Sequence, residues 1–240
     1  GNPQRKLPPV IHVAGTNGKG STIAFMRAIL EQAGYVVHVY TSPHLVHFRE
    51  RMVVAGAPVS DEALMEVLQD IKTRTQDIPL TFFEATTVAA FELFAKTPAD
   101  FTLLEVGMGG RFDATNLVDP AVSVITPVAL HHMEFLGNTL EAIAMEKAGI
   151  IKPHRPVVVA RQHPAALQVV THIAQERAAP LLRCDLEWFC DDSAQGATYR
   201  SVTSSVSLTA LGLAGAHQAI NASTAIAAIE ALHSAKVTSE

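Results

Sequence analysis

The feature that most limits what this chain can fold into is a set of short apolar runs without strict alternation, each followed by a segment of helical period. Val10–Ala14, Val36–Tyr40, Phe101–Val106, Val122–Val128 and Pro156–Ala160 are the runs. Strands facing solvent on one side alternate apolar with polar residues, whereas these read as strands covered on both faces. Between them lie helical patterns. One follows Ser21 with Ile23, Met26, Ala28, Ile29 and Leu30 on its apolar side, and Gly34 closes it. Asp61–Arg74 has Ser60 as its cap and Leu64, Val67, Leu68 and Ile71 as its apolar stripe. Glu84–Ala95, Thr139–Lys147, Ala165–Arg177 and an Ala-rich His217–His233 complete the set. Strand and helix in alternation predict an α/β fold with a doubly wound, mostly parallel sheet. Ligands of such sheets sit at the carboxyl ends of the strands. From Leu181 to Leu213 the pattern weakens to short strands and polar turns, read as an antiparallel edge.

The 240 residues suffice for one large domain or one and a half small ones, and 48% hydrophobic with 17% charged residues suits a packed domain. A net charge of -5 without a Lys/Arg stripe argues against a nucleic-acid partner. No apolar run reaches a bilayer span, so no membrane association is expected. Cys184 and Cys190 are too few for a disulfide framework and read as reduced thiols, which predicts a cytoplasmic setting. Gly1–Pro9 holds no hydrophobic targeting core.

The first strand runs into Gly15-Thr16-Asn17-Gly18-Lys19-Gly20-Ser21 and then into a helix. Glycines let the backbone turn and present N–H groups to an anion, and the helix adds the positive end of its dipole. Lys19 would reach outer phosphates as a point charge, with the Ser21 hydroxyl beside phosphate or magnesium. The spacing departs from the common phosphate-loop pattern: Val13 stands six residues before Lys19, and Gly20 intervenes before Ser21. Taken alone, the segment could be a plain glycine turn with a solvated Lys19.

Five segments in order resemble the folylpolyglutamate synthase/dihydrofolate synthase family of the Mur-ligase superfamily. They are His12–Thr22; Thr41-Ser42-Pro43-His44-Leu45 with Phe48-Arg49-Glu50-Arg51-Met52; Leu104–Asn116; Glu146–Ile150; and Gly215–Ala222. The Gly between Lys19 and Ser21 is that family's variant, where cell-wall Mur ligases place Thr or Ser directly after Lys. The resemblance implies a Mur-ligase central-domain type of fold over residues 1–240, with ATP, one or two Mg2+ ions and an N6-carboxylated Lys147 as cofactors.

It also implies roles. Thr16, Asn17, Gly18, Lys19, Gly20, Ser21 and Asn221 would bind ATP, and Asn221 would lie on the adenine side. Ser42, Glu105 and His132 would hold magnesium, and Lys19, Glu105, His132 and Lys147 would be the catalytic set. Thr81, Phe82, Phe83, Glu84, Arg111, Phe112, Asp113 and Ala114 would contact the pterin or folate. Each residue has a plainer reading. Glu105 could be a salt-bridged strand-end carboxylate, Lys147 a complement to a helix dipole, Phe82 and Phe83 core, and Asn221 a local backbone partner. His131 stands where the family has Asp, which removes a negative charge beside the expected cation. The His131-His132 pair could alternatively suggest a transition metal, although adjacent residues rarely converge on one ion.

The implied reaction phosphorylates a folate or dihydropteroate carboxylate with ATP, and the amine of L-glutamate then attacks the acyl phosphate. Against the family's usual form, a short segment before Gly1 and a C-terminal Rossmann-like glutamate-binding domain after Glu240 are missing. The expectation is therefore an ATP-binding domain, monomeric, with nucleotide affinity and little turnover by itself. A Mur-type ligase acting on a cell-wall precursor and a non-catalytic nucleotide-binding module are the rival classes.

Overall fold

The computed structural model describes residues 1–193 and 196–232. An eight-stranded sheet organises the chain, in the order β4-β3-β2-β5-β1-β6-β7-β8. Its parallel members are β1 (Val10–Ala14), β2 (Val37–Tyr40), β5 (Phe101–Glu105), β6 (Val122–Ile125), β7 (Val157–Val159) and β8 (Leu181–Arg183). β1 is central, in register with β5 at Val13↔Glu105 and with β6 at Ala14↔Ile125. Every residue of β1, β2, β5, β6 and β7 is buried, as their unalternating composition requires.

Successive side chains go to opposite faces. Ile11, Val13, Val37, Val39, Leu103, Val122 and Val124 pack on one face against α1 (Lys19–Gln32) and α7 (Gln218–Ala231). On the other face Tyr40 and Leu104 meet α2 (Asp61–Arg74) and α3 (Phe82–Lys96), while Ile125 and Val157 meet α5 (Leu140–Ala148) and α6 (Pro164–Glu176). The doubly wound expectation holds, and α2 has the anticipated bounds, with the Ser60 hydroxyl accepting from Ala63 N at 3.1 Å. The final residue of the expected His217–His233 helix lies outside the described residues.

Four details differ from the sequence expectation. α3 begins at Phe82 rather than Glu84, because Thr81 and Glu84 form a reciprocal cap: Glu84 N donates to Thr81 Oγ1 and Thr81 N to Glu84 Oε2. β6 stops at Ile125, and the Pro127 carbonyl turns to accept from Thr16 N and Asn17 N at 3.0 and 3.1 Å. Third, a hairpin unrecognised in the sequence, β3 (Met52–Val54) and β4 (Ala57–Pro58), adds an antiparallel edge. Its turn residues Ala55 and Gly56 both have positive φ, the geometry usually signalled by Asn-Gly. Finally, the segment after Leu181 divides. β8 extends the main sheet in parallel, and only β9 (Phe189–Ser193), β10 (Gly196–Arg200) and β11 (Ser205–Leu208) are antiparallel, as a separate sheet on α7. Cys184 and Cys190 are free and buried there, and burial pushes the Cys184 thiol up to about 12.

Candidate functional site: a phosphate loop beside an aromatic-rimmed cavity

The carboxyl ends of β1, β2, β5 and β6 bring Gly15–Lys19, Thr41-Ser42, Glu105–Gly107 and Thr126–Ala129 to one edge of the sheet. The loop after β1 is held from three sides. Gly15 has φ +150, and a Cβ there would lie 1.8 Å from Thr126 Oγ1. Gly18 caps α1 with φ +84, and a Cβ there would lie 2.3 Å from Asn221 Oδ1. Only glycine satisfies both the angle and the space at these two points. Thr16 Oγ1 donates to Ala129 O and accepts from Ala129 N, and Lys147 Nζ donates to Gly15 O at 2.9 Å.

Lys19 opens α1 with its ammonium 3.7 Å from Glu105 Oε1, and Ser42 N donates to the other carboxylate oxygen at 3.0 Å. Burial raises the Glu105 carboxyl above the usual carboxylate range, while Lys19 and the Ser42 amide oppose that rise. Lys147 is also buried, and burial together with the Lys19 charge holds its amine down to about 8. Glu105 is thus a strand-end carboxylate turned inward to the loop lysine, and Lys147 is no mere helix-end cation on the surface.

A cavity of about 720 Å³ opens beside this cluster. Gly15, Thr16, Lys19, Ser42 and Lys147 line its floor, and Phe83, Met108, Phe112, Phe135 and Leu136 make an apolar wall. Thr81, Glu84, Asp113, Ala114, His131 and His132 also face it, with the two imidazole centroids 4.0 Å apart. A second cavity of about 440 Å³ shares Thr16, Lys19, Ser42 and Pro43, then runs along Gly20, Ile23, Ala24 and Arg27 of α1, with Glu105 also in its wall.

Asp113 is fixed in the wall by its own turn. Its carboxylate accepts from Met108 N at 3.0 Å, from Thr115 N at 2.9 Å and from Thr115 Oγ1 at 2.5 Å. Thr115 Oγ1 has spent its proton on Asp113, so it accepts from His12 Nε2, 2.9 Å away in the middle of β1. His12 is fully buried and burial lowers its imidazole to about 3, so the ring is neutral and joins the phosphate strand to the cavity wall.

The structure therefore brings most of the expected residues together, with exceptions. Phe82 is 65% exposed and packs edge-on against Phe48 outside the cavity. One residue further along a helix rotates about 100°, so Phe83 faces inward instead; Gly107 admits its ring, since a Cβ there would lie 2.4 Å from Phe83 Cζ. Arg111 stacks over Phe112 at 5.0 Å without lining the cavity. Asn17 and Ser21 line neither cavity, because the loop presents Thr16, Gly18 and Lys19. Asn221 is buried behind the loop against Gly18, its amide donating to Gln218 Oε1 at 3.0 Å, and it lines neither cavity. Met108, Phe135 and Leu136 went unread in the sequence. Phe135 and Leu136 sit on α4 (Met133–Leu136), too short to leave a periodic signal. Among the described residues no three His, Cys, Asp or Glu side chains are grouped to hold a metal ion by themselves. No helix among them is long and apolar enough to cross a membrane.

A doubly wound parallel sheet with this loop at its carboxyl edge is the architecture of the Mur-type central domain. The Mur ligase middle domain family matches residues 13–229, and the chain belongs to that family. Within it, the chain is 47% identical over 187 residues to the dihydrofolate synthase/folylpolyglutamate synthase of Bacillus subtilis, covering 75% of this chain and 43% of that protein. It is 39% identical over 195 residues to the folylpolyglutamate synthase of Lacticaseibacillus casei, covering 78% and 45%. Its structure superposes on E. coli FolC in complex with DHPP and ADP with a TM-score of 0.89 at 39% identity, covering 97% of this chain and 55% of that one. The chain thus spans about half the length of the relatives it matches.

Proposed function

We propose that this chain is the ATP-binding part of an amide ligase that adds L-glutamate to dihydropteroate, to reduced folates, or to both. The observation that carries the reading is the junction at Lys19 and Glu105. A loop built for phosphate ends on Lys19, which pairs with the buried Glu105 and lines both the aromatic-walled cavity and the second cavity, so a nucleotide and a flat acceptor would meet there. The ADP and DHPP of the E. coli neighbour and the names of the relatives support it.

In the reaction, an acceptor carboxylate oxygen bonds to the γ-phosphorus of ATP as the bond to ADP breaks. The glutamate amine then attacks the acyl carbon, phosphate leaves, an amide forms, and the amine proton passes to solvent. Phosphoryl transfer needs position and charge rather than a protein nucleophile. The amides of Gly18 and Gly20 with Lys19 would cradle the transferring group. Phe83 and Phe112 would stack on the heterocycle, with Thr81, Glu84, Asp113 and Ala114 as its polar and backbone neighbours.

Glu105 and Ser42, whose amide donates to that carboxylate, would hold magnesium, with His132 reaching it from the rim of the main cavity; one buried carboxylate and few further donors suit an ion that keeps water and phosphate oxygens as ligands. Mg2+ bound there would supply charge neutralisation on the phosphate oxygens. Lys147, with an amine depressed to about 8, is suited to carry CO2 as a carbamate, which would make it an anion beside His132. A mass increment of one CO2 on a peptide containing Lys147, trapped in bicarbonate, tests this. Through the same reading we infer a cytoplasmic, monomeric protein acting on small molecules, with residues 1–240 as one ATP-binding domain.

The test is ADP release by the whole gene product with glutamate and, in turn, dihydropteroate, tetrahydrofolate and a muramoyl peptide. Turnover with a pterin acceptor is expected; turnover with the muramoyl peptide alone would overturn the reading.

A further inference from the structure

Arg51 is a cation in the wall of the main cavity to which neither the phosphate loop nor the aromatic wall assigns a task. It ends a single 3-10 turn, Phe48–Arg51, and its backbone carbonyl accepts from Thr41 N at 2.9 Å, tying it to the strand end that carries Ser42. The side chain is racked. Its Nε donates to His44 Nδ1 at 2.9 Å, and the guanidinium carbon stands 5.4 Å from the Phe48 ring centroid and 5.8 Å from that of Phe82. Arg27, Arg161 and Arg183 each grip a carboxylate, at 2.8, 2.7 and 2.6 Å. Arg51 has no such ion pair among the described residues: its charge acts on the Glu105 carboxylate only through space, and no hydrogen bond engages its two terminal nitrogens.

Holding an arginine in one orientation costs side-chain entropy, and its planar fork matches a two-oxygen anion. Phosphate is already served across the site by backbone N–H groups and Lys19. The geometry points to Arg51 as the oxyanion-binding residue of the main cavity, taking the carboxylate of the acceptor through its terminal nitrogens. His44, Phe48 and Phe82 are then positioning residues for that fork. This explains why Phe82 stands outside the cavity within a segment otherwise turned towards it. The inference rests on the ligase reading above in naming an aromatic carboxylate as the ligand.

The experiment uses the unaltered chain first. Phenylglyoxal modification at Arg51 is followed by peptide mass mapping with pteroate, pteroate carboxamide, benzoate or the non-hydrolysable nucleotide AMPPCP present. Protection by pteroate and benzoate, but not by the carboxamide or AMPPCP, is expected. In parallel, Arg51→Gln should weaken pteroate binding by about 10-fold or more, the scale of a charge-assisted hydrogen bond, and leave carboxamide binding unchanged. Arg51→Lys should recover part of the loss. Equal wild-type affinity for acid and carboxamide overturns the assignment, and so does protection by AMPPCP alone, which would make the anion a phosphate. If neither pterin binds, the folate reading fails, and protection by benzoate still decides whether Arg51 takes a carboxylate. If Arg51→Gln does not fold, the modification experiment carries the test.

Discussion

The phosphate side and the acceptor side of the site meet at Lys19 but are built differently. On the phosphate side, the working groups are backbone amides at the end of a fully buried strand, braced by Asn221 against Gly18, by Lys147 on Gly15 O and by Pro127 O. On the acceptor side they are side chains left in solvent: Phe112 is 81% exposed, Phe135 68% and Met108 43%. Such apolar exposure facing one cavity marks a surface that a ligand covers. Under the proposed reading, the contrast teaches that the phosphate loop is shaped by the protein before anything binds, whereas the aromatic wall would be completed by the acceptor.

The largest test falls where the two sides join. Lys19→Ala should lower turnover of the whole ligase by about 100-fold or more, the scale of losing one charge-stabilising group. It also leaves Glu105 buried without its counter-charge, so the melting temperature of the chain should fall too. If turnover survives while stability drops, Lys19 is a structural partner of Glu105 only, and the phosphate side is not what its backbone suggests.

His12 offers the next largest effect, because it connects the two regions through Thr115 to Asp113. Its folded pKa lies at about 3 against an ordinary 6.5, so its contribution to stability is complete above pH 6.5 and is lost as pH falls from there towards 3. Unfolding takes up that proton, which sets a slope approaching about 1.4 kcal/mol per pH unit. His12→Gln keeps a donor for Thr115 and removes the titration. Urea midpoints measured from pH 7 down to 4.5 should fall more steeply for the wild type than for the variant. Parallel curves would show that His12 is not the buried neutral link.

A smaller effect separates the acceptor wall from the core. Phe112→Ala should weaken pterin acceptors by about 10-fold, the upper end for an aromatic stack, with the melting temperature and nucleotide affinity unchanged. Phe83→Ala should weaken acceptor binding and lower stability together, since that ring also packs against Tyr40 at 6.0 Å. Equal effects on KM for ATP and for acceptor would blur the distinction between the two sides.

The same contrast governs how much could be read from the residues alone. The phosphate side is local: an apolar strand, glycines and a helix follow one another within a few residues, and the period and turn chemistry can be seen in sequence. α2 was readable to its end residues because Ser60 and one apolar stripe agree. The acceptor side is assembled from distant loops. Phe82 and Phe83 are chemically alike in sequence, and only the Thr81–Glu84 cap, which sets where α3 starts, decides which one turns inward. Arg51 looked like any charged residue of a signature, since the absence of a carboxylate partner becomes visible only in three dimensions. Ala55-Gly56 concealed a hairpin because Ala is a poor signal for a positive φ.

Gly20 carries the smallest expected effect and the most direct reading of the phosphate side. A Cβ at Gly15 or Gly18 would strike protein atoms, whereas a Cβ at Gly20 would meet nothing within 4 Å. The fold therefore does not need this glycine, which occupies the second position of α1 and faces the second cavity. Glycine in a helix is less stable than alanine by up to about 1 kcal/mol, so Gly20→Ala should raise the melting temperature of the chain. If the space is kept for the nucleotide and its ion, the added methyl should weaken AMPPCP binding several-fold in the same protein. A gain in stability with unchanged affinity would mean that the open space beside Gly20 serves no ligand, and the phosphate side would then extend no further along α1 than Lys19.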